Sequence, residues 1–160
     1  MFVLGIDPGL STLGYGLVES THPPRGHRAG VLRTDPDHPT ERRLGVLYEG
    51  LDQLFDELSP DVVAIESVFT NRNLQTAISV GRASGVAMLA AANHDLEVHE
   101  YAPTAGKRGV TGSGTADKKQ VQIMVARLLN LSDVPSPPDA ADALAVALCH
   151  LRAAPLKATT

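Results

Sequence analysis

One cysteine, three phenylalanines and no apolar run of membrane-spanning length set the first limits on this 160-residue chain. Cys149 has no partner for an internal disulfide and no cysteine companions for a zinc site, and within ALAVALCHL it reads as a core residue. No stretch reaches the roughly 18 to 20 apolar residues needed to cross a bilayer. The opening MFVLGIDPG lacks the basic region and small-residue cleavage site of a secretory signal. A cytoplasmic protein with no membrane partner is therefore expected. Positive charge is also short: Lys+Arg 14 against Asp+Glu 18 leaves −4, whereas a simple nucleic-acid binder is usually basic. The total argues mildly against DNA, but four carboxylates holding two divalent cations would cancel it, and local clustering matters more than the sum.

What is present fits one sizeable core, with 43% hydrophobic residues predicting a single domain over 1–152 and a loose tail over 153–160. The run FVLGID at 2–7, stopped by Pro8-Gly9, has the pattern of a buried central strand ended by a turn. Residues 13–19 and 30–34 are also strand-like, with the Pro-, Gly- and His-rich stretch 21–28 separating them, which predicts a three-strand antiparallel meander. From 40 the period changes. Leu44, Leu47, Tyr48, Leu51, Leu54, Phe55 and Leu58 form one helical stripe, ended by Ser59-Pro60.

Residues 61–66, DVVAIE, then read as a second buried strand that ends on a carboxylate as the first ends on Asp7. A long helix is predicted over 73–92 although Gly81 and Gly85 each cost about 1 kcal/mol relative to alanine; small residues four apart permit close helix contact. Residues 96–101 form a short strand, and 103–115, rich in Gly and Thr and carrying Lys107 and Arg108, read as a moving loop. Helical spacing returns over 116–131. The last helix is announced by Ser136-Pro137-Pro138-Asp139, with Ser136 as N-cap, Pro137 as first helical residue and Asp139 as the third, in the manner of a capping box. It runs to about 151. These elements predict an α/β fold: a mixed sheet, antiparallel meander plus parallel strands, covered by helices on both faces.

Four carboxylates need an explanation. Asp7 and Glu66 end apolar strands, and Asp139 and Asp142 stand three apart on one helix face. Each has a modest alternative: turn chemistry for Asp7, a strand-end charge for Glu66, capping for Asp139, and the helix macrodipole for Asp142. Those alternatives do not account for all four together. If the strands are neighbours and the helix crosses their ends, the carboxylates converge, and convergent carboxylates repel unless protonated or metal-bound. Oxygen-only ligation suits Mg²⁺ or Mn²⁺ rather than zinc, and two such ions support in-line displacement at a phosphate.

The motifs IDPGLSTLGYG at 6–16, AIESVF at 64–69, ADKKQVQ at 116–122 and PDAADALAVAL at 138–148 resemble the RuvC family of Holliday-junction resolvases, in order and over nearly the whole chain. The resemblance implies a ribonuclease-H-like five-stranded sheet and a homodimer that cuts four-way DNA junctions by paired, symmetric nicks during recombination and repair. It implies that Asp7, Glu66, Asp139 and Asp142 are the catalytic ligands of two Mg²⁺ or Mn²⁺ ions. Lys107, Lys118 and Lys119 match basic positions that meet DNA. Phe69, in the polar stretch Phe69-Thr70-Asn71-Arg72, is implied to stack on a base at the junction centre; Arg72 and Arg82 are weaker candidates for phosphate contacts. The Gly81/Gly85 helix would pair across the dimer, although close packing within one subunit fits its composition equally well. Cooperation with the RuvA-RuvB branch-migration complex is implied as well. His94, His99 and His150 read as structural.

Two rivals differ in kind. Asp7-Pro8-Gly9 with Ser11, Thr12 and Gly14 also resembles the phosphate-binding hairpin of actin-like phosphotransferases, but the chain has one copy of a domain that those ATPases use twice. The second is a non-catalytic scaffold of the same fold that binds branched DNA, against which four intact acidic positions count.

Overall fold

The computed structural model describes residues 1–68 and 73–153. Ten elements follow one another: β1 (Phe2–Asp7), β2 (Thr12–Glu19), β3 (Arg25–Arg33), α1 (Thr40–Leu58), β4 (Val62–Glu66), α2 (Leu74–Asn93), β5 (Glu97–Tyr101), α3 (Pro103–Thr111), α4 (Lys118–Leu128) and α5 (Pro138–Ala153). The five strands form one sheet in the order β3-β2-β1-β4-β5. The first three are antiparallel neighbours, while β4 runs parallel to both β1 and β5. This is the expected meander with parallel strands added, and β1 lies at its centre because its buried run can satisfy a neighbour on each side.

Alternation along the strands divides the core in two. Leu4, Ile6, Leu13, Tyr15, Leu17, Val63 and Ile65 face α1 and α2. Val3, Val18, Val62 and Ala64 face the other way and meet α3, α4 and α5. Among these helices α5 is the most deeply set, with every residue from Ala143 to His150 buried, Cys149 included. It fits so closely because the strands beneath it carry glycine. A Cβ added at Gly5 would run into the Ala143 carbonyl oxygen, one at Gly14 into the Asp139 carbonyl oxygen, and one at Gly16 into Leu144.

Three expectations need correction. Residues 103–115 are not simply a loop, since 103–111 form α3; Pro103 at its first position and packing against α5 outweigh the low helix propensity of Gly106 and Gly109. The third strand begins at Arg25 inside the supposed separator 21–28, because an edge strand is held by backbone pairing with β2 and needs no apolar alternation. The last helix starts one residue late: the Ala140 amide donates to the Pro137 carbonyl at 3.0 Å, which leaves Ser136 outside the N-cap and Asp139 in second place. The capping box belongs instead to α4. There the Asp117 carboxylate accepts from the Gln120 amide at 2.8 Å, and the Gln120 side chain accepts from the Asp117 amide at 3.1 Å.

The helix predicted over 73–92 is α2, capped by the Asn73 side chain, which accepts from the Gln75 amide at 2.9 Å. Its glycines do not support close packing within the subunit. A Cβ at Gly81 or Gly85 would meet nothing within 4 Å.

Candidate active site

Strand β1 delivers Asp7 and strand β4 delivers Glu66 at the same end of the sheet, since Ile6 pairs with Ile65 in parallel register. Glu66 is itself steadied from the far side. The Ser67 amide continues the ladder by donating to the Tyr101 carbonyl at 2.8 Å, and the Ser67 hydroxyl donates to the same oxygen at 3.2 Å. The Tyr101 hydroxyl meets His150 Nδ1 at 2.6 Å, fastening the end of β5 to α5.

Asp7 is paired with Gly14 across β1 and β2, and Gly14 is the residue whose missing side chain admits the Asp139 backbone. The first turn of α5 is thereby laid over the rung that carries Asp7. Asp142 follows one turn later on the same face. Carboxylate oxygens of Asp7, Asp139 and Asp142 lie within 4.8 Å of one another, and Glu66 approaches Asp7 closely enough to share a hydrogen bond with it.

The electrostatic consequence is large. Burial, then the Glu66 charge and the hydrogen bond that the protonated Asp7 carboxyl donates to Glu66, with smaller contributions from Asp142 and Asp139, push the Asp7 carboxyl up to about 9. Burial first and Glu66 second push Asp142 up to about 6, against the opposing charges of Lys118 and Lys107. Without a cation, Asp7 holds a proton at neutral pH. The donor set is all hard oxygen, clustered and short of positive charge, which fits a divalent cation of the magnesium or manganese kind.

Most of the sequence-predicted residues gather here. All four carboxylates converge, and Lys107 from α3 and Lys118 from α4 stand within electrostatic reach of Asp142. Lys119 is exposed at the start of α4, beside Lys118. Phe69 and Arg72 lie outside the described residues. Arg82 is exposed on α2. The histidines are occupied elsewhere: His94 with Asp52 at 2.6 Å, His99 with Glu97 at 3.3 Å, and His150 with Tyr101. Sequence reasoning missed the glycines that seat α5, although Gly14 and Gly16, two apart on one strand, carry a usable signal: repeated glycine on one face of a strand marks a close backbone approach.

The sheet order and its cluster of convergent carboxylates define a ribonuclease-H-like α/β protein with an acidic site whose donor set fits a cation. Comparison with known proteins narrows this. The family model described as crossover junction endodeoxyribonuclease RuvC matches residues 3–150. A RuvC crossover junction endodeoxyribonuclease of Alkaliphilus oremlandii is 50% identical over 155 residues, covering 94% of this chain and 92% of the relative. That of Corynebacterium jeikeium is 46% identical over 158 residues, covering 96% and 95%. Among solved structures, T. thermophilus RuvC in complex with Holliday junction substrate superposes with a TM-score of 0.87 at 36% identity, over 94% of this chain and 92% of that one. The yeast mitochondrial Holliday junction resolvase, 13% identical with a TM-score of 0.64, shares the fold. The chain belongs to the RuvC family of crossover junction endodeoxyribonucleases.

Proposed function

We propose that the chain resolves Holliday junctions, nicking two strands of like polarity at symmetric positions in four-way DNA during recombination and repair. The observation that carries this reading is the convergence of Asp7, Asp139 and Asp142, with Glu66 against Asp7, opposite Lys107 and Lys118. Asp7, Glu66, Asp139 and Asp142 would together hold two Mg²⁺ or Mn²⁺ ions. When bound, such ions supply Lewis-acid stabilisation of the phosphoryl charge and an acidified water for in-line displacement.

The remaining work falls to the chain. The Asp7 carboxyl surrenders its proton as a cation enters, so cation binding and proton release are linked. Lys107 and Lys118 offset the charge of a phosphodiester brought against the carboxylates, and Lys119 adds a contact to the DNA backbone. The roles of Phe69, stacking on an unpaired base, and of Arg72, meeting a phosphate, rest on the sequence alone.

Paired nicks require two sites, and α2 supports a homodimer. Leu74, Ile78 and Leu89 are exposed and share a stripe with Gly81 and Gly85, a surface with no partner among the described residues. Self-complementary packing of this stripe is the arrangement a two-fold dimer needs. Cooperation with a RuvA-RuvB branch-migration complex rests on family membership.

The test is cleavage of an end-labelled synthetic four-way junction beside a linear duplex of matched sequence, with Mg²⁺, with Mn²⁺ and with neither. Metal-dependent, symmetric nicks confined to the junction are expected. Tight junction binding with no cutting in either metal would instead establish the non-catalytic scaffold.

A further inference from the structure

The catalytic end of the sheet carries a second cationic feature, on the α1 side and away from Lys107 and Lys118. Arg43, in the first turns of α1, donates from Nε to the Thr34 hydroxyl at 2.9 Å and from Nη2 to the Ser11 hydroxyl at 2.8 Å. Both partners are neutral. Among the described residues Arg43 forms no ion pair, whereas Arg28 is neutralised by Glu57 at 2.8 Å. The nearby Asp35 is engaged by the Asp37 amide at 2.9 Å and by His38 at 3.5 Å. A half-buried guanidinium fixed by hydroxyls keeps its full charge, in one orientation, for an anion arriving from solvent.

The hydroxyls are equally fixed. Thr34 spends its proton on the Leu10 carbonyl at 2.7 Å and so can only accept from Arg43, and its amide donates to the Ser11 carbonyl at 3.1 Å. Ser11 accepts from Arg43, which leaves its own proton free to donate outward. Its four-residue separation from Asp7 limits the two Cα atoms to about 14 Å. Phosphates recur along one DNA strand every ~3.4 Å of helix rise, so an arm entering the carboxylate cluster passes this point within a few nucleotides.

We infer that Arg43 and Ser11 form a backbone-phosphate clamp that holds the DNA arm flanking the cleaved bond and sets its register against the carboxylates. The inference rests on the proposed junction-cutting activity. Arg43 is a positioning residue here, since it need not touch the reacting phosphate.

The experiment is a salt series of binding isotherms for a labelled four-way junction and a linear duplex, with calcium replacing magnesium. Wild type is compared with Arg43→Gln, Arg43→Lys, Ser11→Ala and Thr34→Val, each checked by thermal melting. Arg43→Gln is expected to weaken junction binding about tenfold and to lower the slope of log affinity against log salt by about 0.9. Arg43→Lys should keep the slope. Ser11→Ala should weaken binding a few-fold at constant slope. Thr34→Val controls for bracing: it removes one hydrogen bond to Arg43 but no charge, and should lower melting without moving the slope. A wild-type slope in Arg43→Gln would overturn the clamp and leave Arg43 as a brace between α1 and the β1–β2 turn. Should wild type show no preference for the junction over duplex, the resolvase reading fails, while the slopes on duplex still decide the clamp.

Discussion

The two walls of the catalytic end are built on opposite principles. The acidic wall is half-buried, drawn from β1, β4 and α5, and fixed by backbone: parallel register sets Glu66 beside Asp7, and Gly14 sets Asp139 over it. The basic wall, Lys107 with Lys118 and Lys119, comes from two shorter helices nearer solvent and depends on charge rather than close fit. The acidic wall therefore stores unfavourable electrostatics that a cation relieves, and its residues influence folding as well as chemistry. Those of the basic wall act on the substrate and, through Lys107 and Lys118, on the charge of Asp142, with little weight in folding.

The sharpest separation of the two comes from Asp7→Asn. Cleavage is expected to fall about a thousandfold or more, as when one member of a catalytic set is removed, with junction binding largely retained. The same change should stabilise the cation-free protein. Asp7 rises from 3.8 to about 9 on folding, so the native state keeps a proton that the unfolded chain has lost. Its contribution is fully present below pH 3.8 and is lost as pH rises towards 9. Melting in chelator at pH 5, 7 and 9 should show Asp7→Asn gaining on wild type at each step; a constant difference would break the account of a strained acidic wall. Cleavage supplies a counterpart. Cation entry must displace that proton, so half-maximal metal concentration should fall by up to about tenfold per pH unit between pH 6 and 9.

The seating of α5 is the next largest expectation. Gly5→Ala places a methyl against the Ala143 backbone, an obstacle that cannot rotate away, and should cost more than about 3 kcal/mol, beyond ordinary overpacking. Denaturant unfolding measures it. Gly85→Ala, on open helix surface, should leave the fold intact and gain helix propensity, so similar losses at both sites would sink the argument.

The carboxylates were legible before the fold because their neighbours are extreme. A strand buried on both faces reads as an unbroken apolar run, and a charge at its end stands out. The pairing of Asp139 with Asp142 was legible for the same reason, against an alanine-rich helix. Elements held by tertiary contact were not. α3 contains Pro103, Gly106 and Gly109 and looks like loop until Gly109 is found against Cys149 and Gly106 against Val146. The early start of β3 was hidden because backbone pairing leaves no mark on composition. The capping box was a misreading of two available signals: Asp117 and Gln120 carried the same spacing as Ser136 and Asp139, and the proline pair drew attention to the wrong one. Arg43 was missed for a different reason, because its importance lies in having hydroxyl rather than carboxylate partners.

The basic wall yields the smallest effects and the cleanest contrast. Lys107→Ala and Lys118→Ala should each slow cutting by about 10- to 100-fold, comparable to losing a supporting group around a metal site, while changing stability by less than about 0.5 kcal/mol. Removing either lysine also removes a charge that holds Asp142 down, so Asp142 should titrate above its present value of about 6. The acid limb of the pH–rate profile would then move to higher pH. Lys119→Ala carries no such consequence and should lower only the salt slope of binding, by about 0.9. A shifted acid limb for Lys118→Ala but not for Lys119→Ala would separate the lysine acting on the carboxylates from its neighbour acting on DNA. Equal shifts would mean that both answer to the general field of the helix, and the basic wall would lose its internal division of labour.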